Sequence, residues 1–427
     1  MKMSMRICIV ASCAEPVPVQ TWGGIESQVE GQARALAALG HDVHVLTVGA
    51  ADAPCRASID GVTFHRLIRA VAYDSAPIRK LLPGVLRFTR RAYAACRTIR
   101  PDIVHLQARY PCYLWLRWIT TRRVPWKTVY HAHNWKLAER MDYRRASGRA
   151  LAVHVGAHMD GAIARSCDHV IAISGFMKRA IVSTSGIGEA KVSVLTNMVA
   201  PHMLQAPEAR RDLDVVYVGR IAAEKGLDLL LRALPKVVRQ RVDTQLTVIG
   251  PVRGATERGD YFAQCERLLE KLGLRRHVNF AGVVPNVELP GWLARARAVA
   301  VPSVWNEPCG LAAIEALACG TPVVCTRVGG LPEIVEDGRT GAVVEPNDPV
   351  GLAAAILQIL GDARLAANVR RAGREQVGRR HGEATLGRAL AEVYDQVRVG
   401  SENTHCATHR ADTDNPRFGE RELTCPR

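Results

Sequence analysis

The sequence predicts an α/β chain of two doubly wound, Rossmann-like parallel-sheet domains facing one cleft. Three observations carry that prediction. Short β-branched runs alternate with longer amphipathic stretches, the alternating series occurs twice with an aperiodic segment between, and glycine-rich turns recur where strands give way to helices. The chain of 427 residues also exceeds the size at which a single core keeps growing, so two domains of roughly 200 residues each are expected.

The first series opens with a strand over Arg6 to Ala11, the helical pattern Ile25, Val29, Ala33, Leu36, and a strand over Val43 to Val48, with Gly40 where a helix end needs a left-handed residue. Further strands are expected at Val62 to Arg66, Ile103 to Gln107, Thr128 to His131, Val170 to Ile173 and Val192 to Leu195. Periodicity then lapses around Pro201, Pro207 and Glu208 to Arg211. The first domain is therefore drawn at 1–197 and a linker at 198–213. The second series has strands at Val215 to Val218, Leu246 to Ile249, Val278 to Ala281, Ala298 to Val301, Val323 to Cys325 and Ala342 to Val344, giving a donor-side domain at 214–383. A helix over 384–399 is expected to pack back on the first domain, and the polar, aperiodic segment 400–427 to be disordered.

Composition narrows the class. Hydrophobic residues are 48% and charged residues 23%, and no apolar run approaches the roughly 20 residues that cross a bilayer. Twelve cysteines lie scattered without a Cys-x-x-Cys pair or a Cys/His cluster, so no disulfide framework or metal is indicated and a cytoplasmic setting is expected. Lys2 and Arg6 ahead of Ile7 to Ala11 sketch a short signal peptide, but its removal would delete the strand leading into the first glycine-rich loop, so it is read as that strand.

Three segments carry chemistry. Gly23 and Gly24, between the first strand and first helix, let backbone approach a phosphate where the helix N-terminus adds partial positive charge. Arg220 and Lys225, five apart after the first strand of the second domain, can converge on a diphosphate as a fork and a point charge. The run from Pro302 to Ala316 places Glu307 before a helix opened by Pro308, Cys309, Gly310 and Leu311, and Glu315 within it. Eight positions of helix span at most about 12 Å, roughly the reach from a hexose to a ribose. Taken singly, each also reads as a tight turn, a solvated basic turn or a solvated face. Gly320 to Val324 and Gly329 to Val335 (Gly-Gly-Leu-Pro-Glu-Ile-Val) add turns expected around the same crevice, because open α/β sheets bind ligands beyond their strands' carboxyl ends.

In this order the motifs resemble the donor signature of the family-four retaining glycosyltransferases with the GT-B fold (glycosyl transferases group 1). The glutamate, seven residues, glutamate pattern is kept as Glu307 and Glu315, and Gly23-Gly24, Leu39 to Val43, Ile171 to Ser174 and Asn197 match in order. The resemblance implies transfer of a hexosyl group from a nucleoside diphosphate sugar to a hydroxyl acceptor such as a glycolipid, lipid-linked saccharide or polysaccharide precursor. It implies Arg220 and Lys225 on the diphosphate, Glu307 on the sugar, Glu315 on the ribose, the amides of Cys309, Gly310 and Leu311 nearby, and Gly24 approaching from the other domain. It also implies a histidine close to the transferred sugar; His131 and His133 are candidates, with His133 favoured as the loop position. Neither cofactor nor metal is implied. Met198 and Cys309 depart from the family's usual Gly and aromatic residue, which leaves the sugar pocket's shape open. The rivals are a phosphorylase of the same fold and a non-catalytic nucleotide-sugar binding protein.

Charge is uneven. Residues 1–205 hold 27 Lys and Arg against 13 Asp and Glu, a net of +14, and residues 206–427 hold 30 against 28, a net of +2. Residues 56–149 alone carry 20 basic and five acidic residues, with Tyr113, Trp115, Trp118 and Trp126 among them. Such a region fits an anionic membrane surface, and so a peripheral position on the inner face, although Trp115 and Trp118 also fit a core. No nucleic-acid motif is present, so nucleic acid is not expected as a partner.

Overall fold

The structure, a computed structural model, describes residues 4–18, 24–49, 54–70, 78–109, 111–113, 115, 124–136, 147–252 and 261–399. Gly23, Trp118 and the segment 400–427 lie outside the described residues.

Two sheets form. The first contains β1 (Arg6–Val10), β2 (Asp42–Gly49), β3 (Arg56–Ile59), β4 (Val62–Arg69), β5 (Ile103–Leu106), β6 (Lys127–Ala132), β7 (His169–Ala172) and β8 (Val192–Val194), in the order β3-β4-β2-β1-β5-β6-β7-β8. Every pairing is parallel except β3 with β4. The second contains β9 (Leu213–Val218), β10 (Leu246–Ile249), β11 (Val278–Gly282), β12 (Ala296–Val301), β13 (Val323–Thr326) and β14 (Gly341–Val344), ordered β11-β10-β9-β12-β13-β14 and wholly parallel. Strands buried on both faces need near-continuous apolar runs, and β1, β5, β7, β10 and β13 supply them with Ile, Val, Leu, Ala and Cys. The expected strands all form, with ends moved by up to three residues. β3 is an addition: four residues, mostly exposed, at an antiparallel edge, where no apolar pattern is required.

Each sheet reverses its winding at one place. β1 lies between β2 and β5, and β9 between β10 and β12, so crevices open beyond the carboxyl ends of β1/β5 and β9/β12. These two crevices place the candidate site.

The final helix, Glu383–Val399, packs on the first helix, Gly24–Ala38. Leu386, Leu390 and Tyr394 share a core cluster with Ile7, Val29 and Leu36, and a Cβ on Gly387 would lie 2.6 Å from that of Ala35. The amphipathic helix Ile78–Ile99 buries Val85, Phe88, Ala92, Ala95 and Cys96 and leaves Leu82, Leu86, Arg87 and Arg90 outside. Trp115 and Trp126 are buried in the same core, which corrects their reading as interfacial aromatics: both pack around Tyr93 rather than facing water. Among the described residues no single helix is long and apolar enough to cross a membrane.

Candidate functional site

A cleft of about 340 Å³ lies between the domains, lined by Gly24 and Ser27 from the first and by Gly219, Arg220, Lys225, Ser303, Glu307, Gly310, Leu311 and Glu315 from the second. The residues singled out in the donor segments thus converge. Gly23 falls outside the described residues, and Cys309 is buried behind the lining with its thiol 3.6 Å from Thr196 Oγ1.

The second-domain wall is built on the β9/β12 crossing. Tyr217, the penultimate residue of β9, donates its hydroxyl to the Arg220 carbonyl at 2.8 Å and so fixes the turn that carries Arg220. Gly226 closes that turn at φ +68°, and a Cβ there would stand 2.0 Å from the Pro302 carbonyl oxygen, so only glycine lets the basic turn lie against the end of β12. The Val304 amide donates to the Glu224 carbonyl at 3.1 Å, stitching the two loops together.

That contact sets the charges. Lys225 Nζ donates to Glu307 Oε1, which also accepts from Ser303 Oγ at 2.8 Å. Glu307 is 5% exposed. Burial alone would raise its carboxyl, but the Lys225 charge and hydrogen bond and the Ser303 hydroxyl outweigh burial and hold it below the usual range. Arg220 lines the cleft with one guanidinium nitrogen 3.4 Å from Glu224. Glu315 is of the opposite kind: its carboxyl makes no hydrogen bond or ion pair among the described residues, and desolvation in the cleft wall raises it to about 8. It sits in the helix Leu311–Ala318, whose first two residues, Leu311 and Ala312, line the cleft beside Gly310 with amides that have no intrahelical acceptor.

The first-domain wall holds a second hollow of about 200 Å³ beyond β1 and β5, lined by Ser12, Glu26, Gln107, Arg109, His133 and Asn134 among others. His133 therefore belongs to this hollow rather than to the donor cleft's own lining. Its Nε2 lies 2.6 Å from Gln107 Oε1, so Nε2 carries the proton and Nδ1 is the acceptor; Gln107 in turn donates to Gln32 Oε1 at 2.6 Å. The rings of His133 and His131 stack at 4.4 Å, His131 stacks on His105 at 5.2 Å, and the Tyr394 hydroxyl reaches His105 Nδ1 at 2.7 Å. Burial pushes His105 and His133 down to about 3 and lowers His131 as well, so the stack is neutral. His131, near the end of β6, is 1% exposed and lines neither hollow. Arg109 is neutralised by a two-point bridge to fully buried Asp160, at 2.5 and 2.9 Å, and it holds Asn134 Oδ1 at 2.6 Å. Glu26, 6% exposed, accepts from Ser12 Oγ at 2.5 Å.

Sequence reasoning missed Tyr217, Asn286, Ser303, Glu26 and Gln107. Only Asn286 carried a usable signal, since Pro285-Asn286 marks a turn just beyond a strand. Among the described residues no group of three His, Cys, Asp or Glu is placed to hold a metal ion.

Two sequence families match this chain: "Glycosyltransferase Family 4" over residues 22–202 and "Glycosyl transferases group 1" over residues 204–376. A Mycobacterium tuberculosis protein described as glycogen synthase is 31% identical over 419 residues, covering 93% of this chain and 96% of that protein. Among solved structures, sucrose-phosphate synthase from Thermosynechococcus elongatus superposes with a TM-score of 0.74 at 25% identity, covering 93% of this chain and all of the other. An Anabaena protein crystallised with UDP and glucose superposes at 0.66 with 21% identity, covering 92% and 99%, a likeness of fold.

Proposed function

Because the chain belongs to the family-4, group-1 glycosyltransferases of GT-B fold, we propose that it moves a hexosyl group from a nucleoside diphosphate sugar to a hydroxyl of a saccharide or lipid-linked acceptor, retaining anomeric configuration and using no metal. The observation that carries this reading is the convergence of Arg220, Lys225, Glu307, Glu315 and a helix N-terminus on one interdomain cleft that Gly24 closes from the other side.

Cleaving a glycosyl-phosphate bond builds negative charge on the departing diphosphate. Arg220, Lys225 and the amides at the head of Leu311–Ala318 supply fixed positive charge where that happens, in a partly dehydrated cleft where it counts for more than in water. Two side-chain cations take the part a metal ion plays elsewhere. Glu307, ionised beside Lys225, accepts hydrogen bonds from sugar hydroxyls, and Glu315 takes the ribose. His133 meets the sugar from the first domain, and Gly23 with Gly24 lets backbone approach the phosphates. The departing phosphate takes the acceptor proton, so no protein nucleophile is needed. The acceptor enters from the first domain, whose positive outer face suits an anionic membrane on the cytoplasmic side.

The test is product analysis with a panel of nucleotide sugars and saccharide or lipid acceptors in EDTA. Acceptor-dependent release of a nucleoside diphosphate, with the donor's anomeric configuration in the product, is expected. Sugar 1-phosphate formed from inorganic phosphate would assign a phosphorylase instead, and binding without turnover a binding protein.

A further inference from the structure

The helix Gly175–Ser185 belongs to the first domain, yet its free N-terminal amides are satisfied largely by the second. Glu333 Oε2 accepts from the Gly175 amide and Oε1 from the Phe176 amide, both at 2.7 Å, while Ser174 Oγ caps the Met177 amide at 3.1 Å. A carboxylate at a helix N-terminus is favoured by the helix dipole and by charge-assisted hydrogen bonds. Here it reaches across 157 residues of chain to do so. Arg179, one turn into the helix, stands 3.6 Å from the same carboxylate.

The contact is also joined to the donor clamp. Ser174 Oγ donates to the Pro308 carbonyl at 2.6 Å, and the Gly330 amide donates to the Glu307 carbonyl at 2.7 Å. A Cβ on Gly330 would lie 2.9 Å from the Pro308 carbonyl oxygen and 3.1 Å from Ser174 Cβ. One short segment, 329–333, running into the helical turn Leu331–Ile334, thus touches both the first-domain helix and the backbone of the residue that binds Lys225.

We infer that Glu333 is a positioning residue for glycosyl transfer: its carboxylate latches the first domain to the donor loop and so sets the distance between Gly24 and the donor-binding wall. This rests on the transferase reading above. Glu333 lines neither hollow, so it acts through the spacing of the walls rather than by touching the reacting groups. When the domains part, two amides and a carboxylate return to water, which makes the latch reversible rather than a permanent weld. Closure, and with it the Glu307 loop, is expected to respond to this single side chain.

The experiment compares the full-length chain with Glu333→Ala, Glu333→Gln and Gly330→Ala. Gly330→Ala wedges the same contact from the other side and leaves Glu333 in place. Steady-state kinetics use UDP-glucose and GDP-mannose as donor probes. X-ray scattering reads domain separation, and hydrogen exchange reads the Gly175 and Phe176 amides. Losing two charge-assisted hydrogen bonds should lower kcat by roughly tenfold to a hundredfold in Glu333→Ala with donor KM moved far less, and by less in Glu333→Gln. The radius of gyration should rise in Glu333→Ala and Gly330→Ala, and the two amides should exchange faster. Unchanged scattering and unchanged kcat in both variants, each folded by circular dichroism, would overturn the inference. If neither donor supports turnover in the wild type, it is the functional reading that suffers, and scattering with amide exchange still decides the latch.

Discussion

The two walls of the cleft solve the same task, holding polar groups out of bulk water, in opposite ways. On the second-domain wall charge is kept and aimed: Lys225 and Glu307 pair and Arg220 faces the cleft beside Glu224, while half-buried Glu315, with no partner for its carboxyl, has that carboxyl raised to about 8. On the first-domain wall, Glu26 with its Ser12 hydrogen bond excepted, charge is cancelled or avoided. Arg109 is spent on Asp160, three stacked histidines are held neutral, and glutamines carry the hydrogen bonds. The positive excess of the first half therefore sits away from its own hollow, on outer faces such as Arg87 and Arg90 of the helix Ile78–Ile99. One wall is fitted to stabilise charge that develops during a reaction, and the other to orient a neutral group. Folding cost differs accordingly, because taking an ion pair out of water costs more than burying a hydrogen-bonded amide.

The largest effect that would break this contrast comes from exchanging the charged groups. Lys225→Ala leaves Glu307 buried without its cation and removes charge from the leaving group. Arg220→Ala removes the other cation while leaving the Lys225–Glu307 pair whole. Each is expected to lower kcat by about a hundredfold to a thousandfold, the scale of losing a preorganised electrostatic contact. His133→Ala on the neutral wall should cost less, on the order of tenfold to a hundredfold, because no charge is removed. Single-turnover assays in EDTA check both, and equal losses on the two walls would mean the contrast has no functional content.

A middle-sized effect concerns Glu315 and pH. Its native carboxyl is raised to about 8 from an ordinary 4.5, so between those values the folded chain holds a proton that the unfolded chain has released. The Glu315 contribution to the unfolding free energy must then fall as pH rises through that window. The contribution is fully present below about 4.5 and lost above about 8. Denaturant titrations at pH 5 and pH 8 should show the wild type losing more stability than Glu315→Gln by on the order of a few kcal/mol. His133, held near 3 against an ordinary 6.5, stays neutral in the folded chain while the unfolded chain binds a proton below about 6.5, so it adds an opposite, rising slope that both chains share and that cancels in their comparison. Parallel titrations of the two chains would place Glu315 in a wetter setting than its burial implies.

Much of this was legible in the sequence, and what was not has a physical reason. The alternation of apolar runs gave both sheets because parallel strands buried on two faces have no freedom to be polar; β3 escaped because an exposed edge strand such as Arg-Ala-Ser-Ile answers to no such demand. The types and positions of Arg220, Lys225, Glu307 and Glu315 were visible. Their pairing was not: Lys225 meets Glu307 only because β9 and β12 lie side by side, a fact of strand order and not of spacing. The histidine stack was hidden for the same reason, since His105, His131 and Tyr394 come from β5, β6 and the last helix. Glu333 read as a turn residue because its partners, the Gly175 and Phe176 amides, belong to the backbone, which no sequence motif displays.

The smallest expected effect tests where the first domain's charge acts. If the positive excess serves an anionic surface and not the hollow, Arg87 and Arg90, exposed beside Leu82 and Leu86, should contribute to vesicle binding and leave catalysis on a soluble acceptor untouched. Each basic side chain near an anionic surface is worth about 1 kcal/mol, so Arg87→Ala with Arg90→Ala should weaken sedimentation with phosphatidylserine vesicles roughly tenfold to thirtyfold at low salt. Neutral phosphatidylcholine vesicles should not distinguish the variant from the wild type, and moderate salt should shrink the difference. Equal recovery of the wild type with neutral and anionic vesicles would return this charge to solubility alone, and a fall in turnover on a soluble acceptor would mean that the outer face and the hollow are not separate after all.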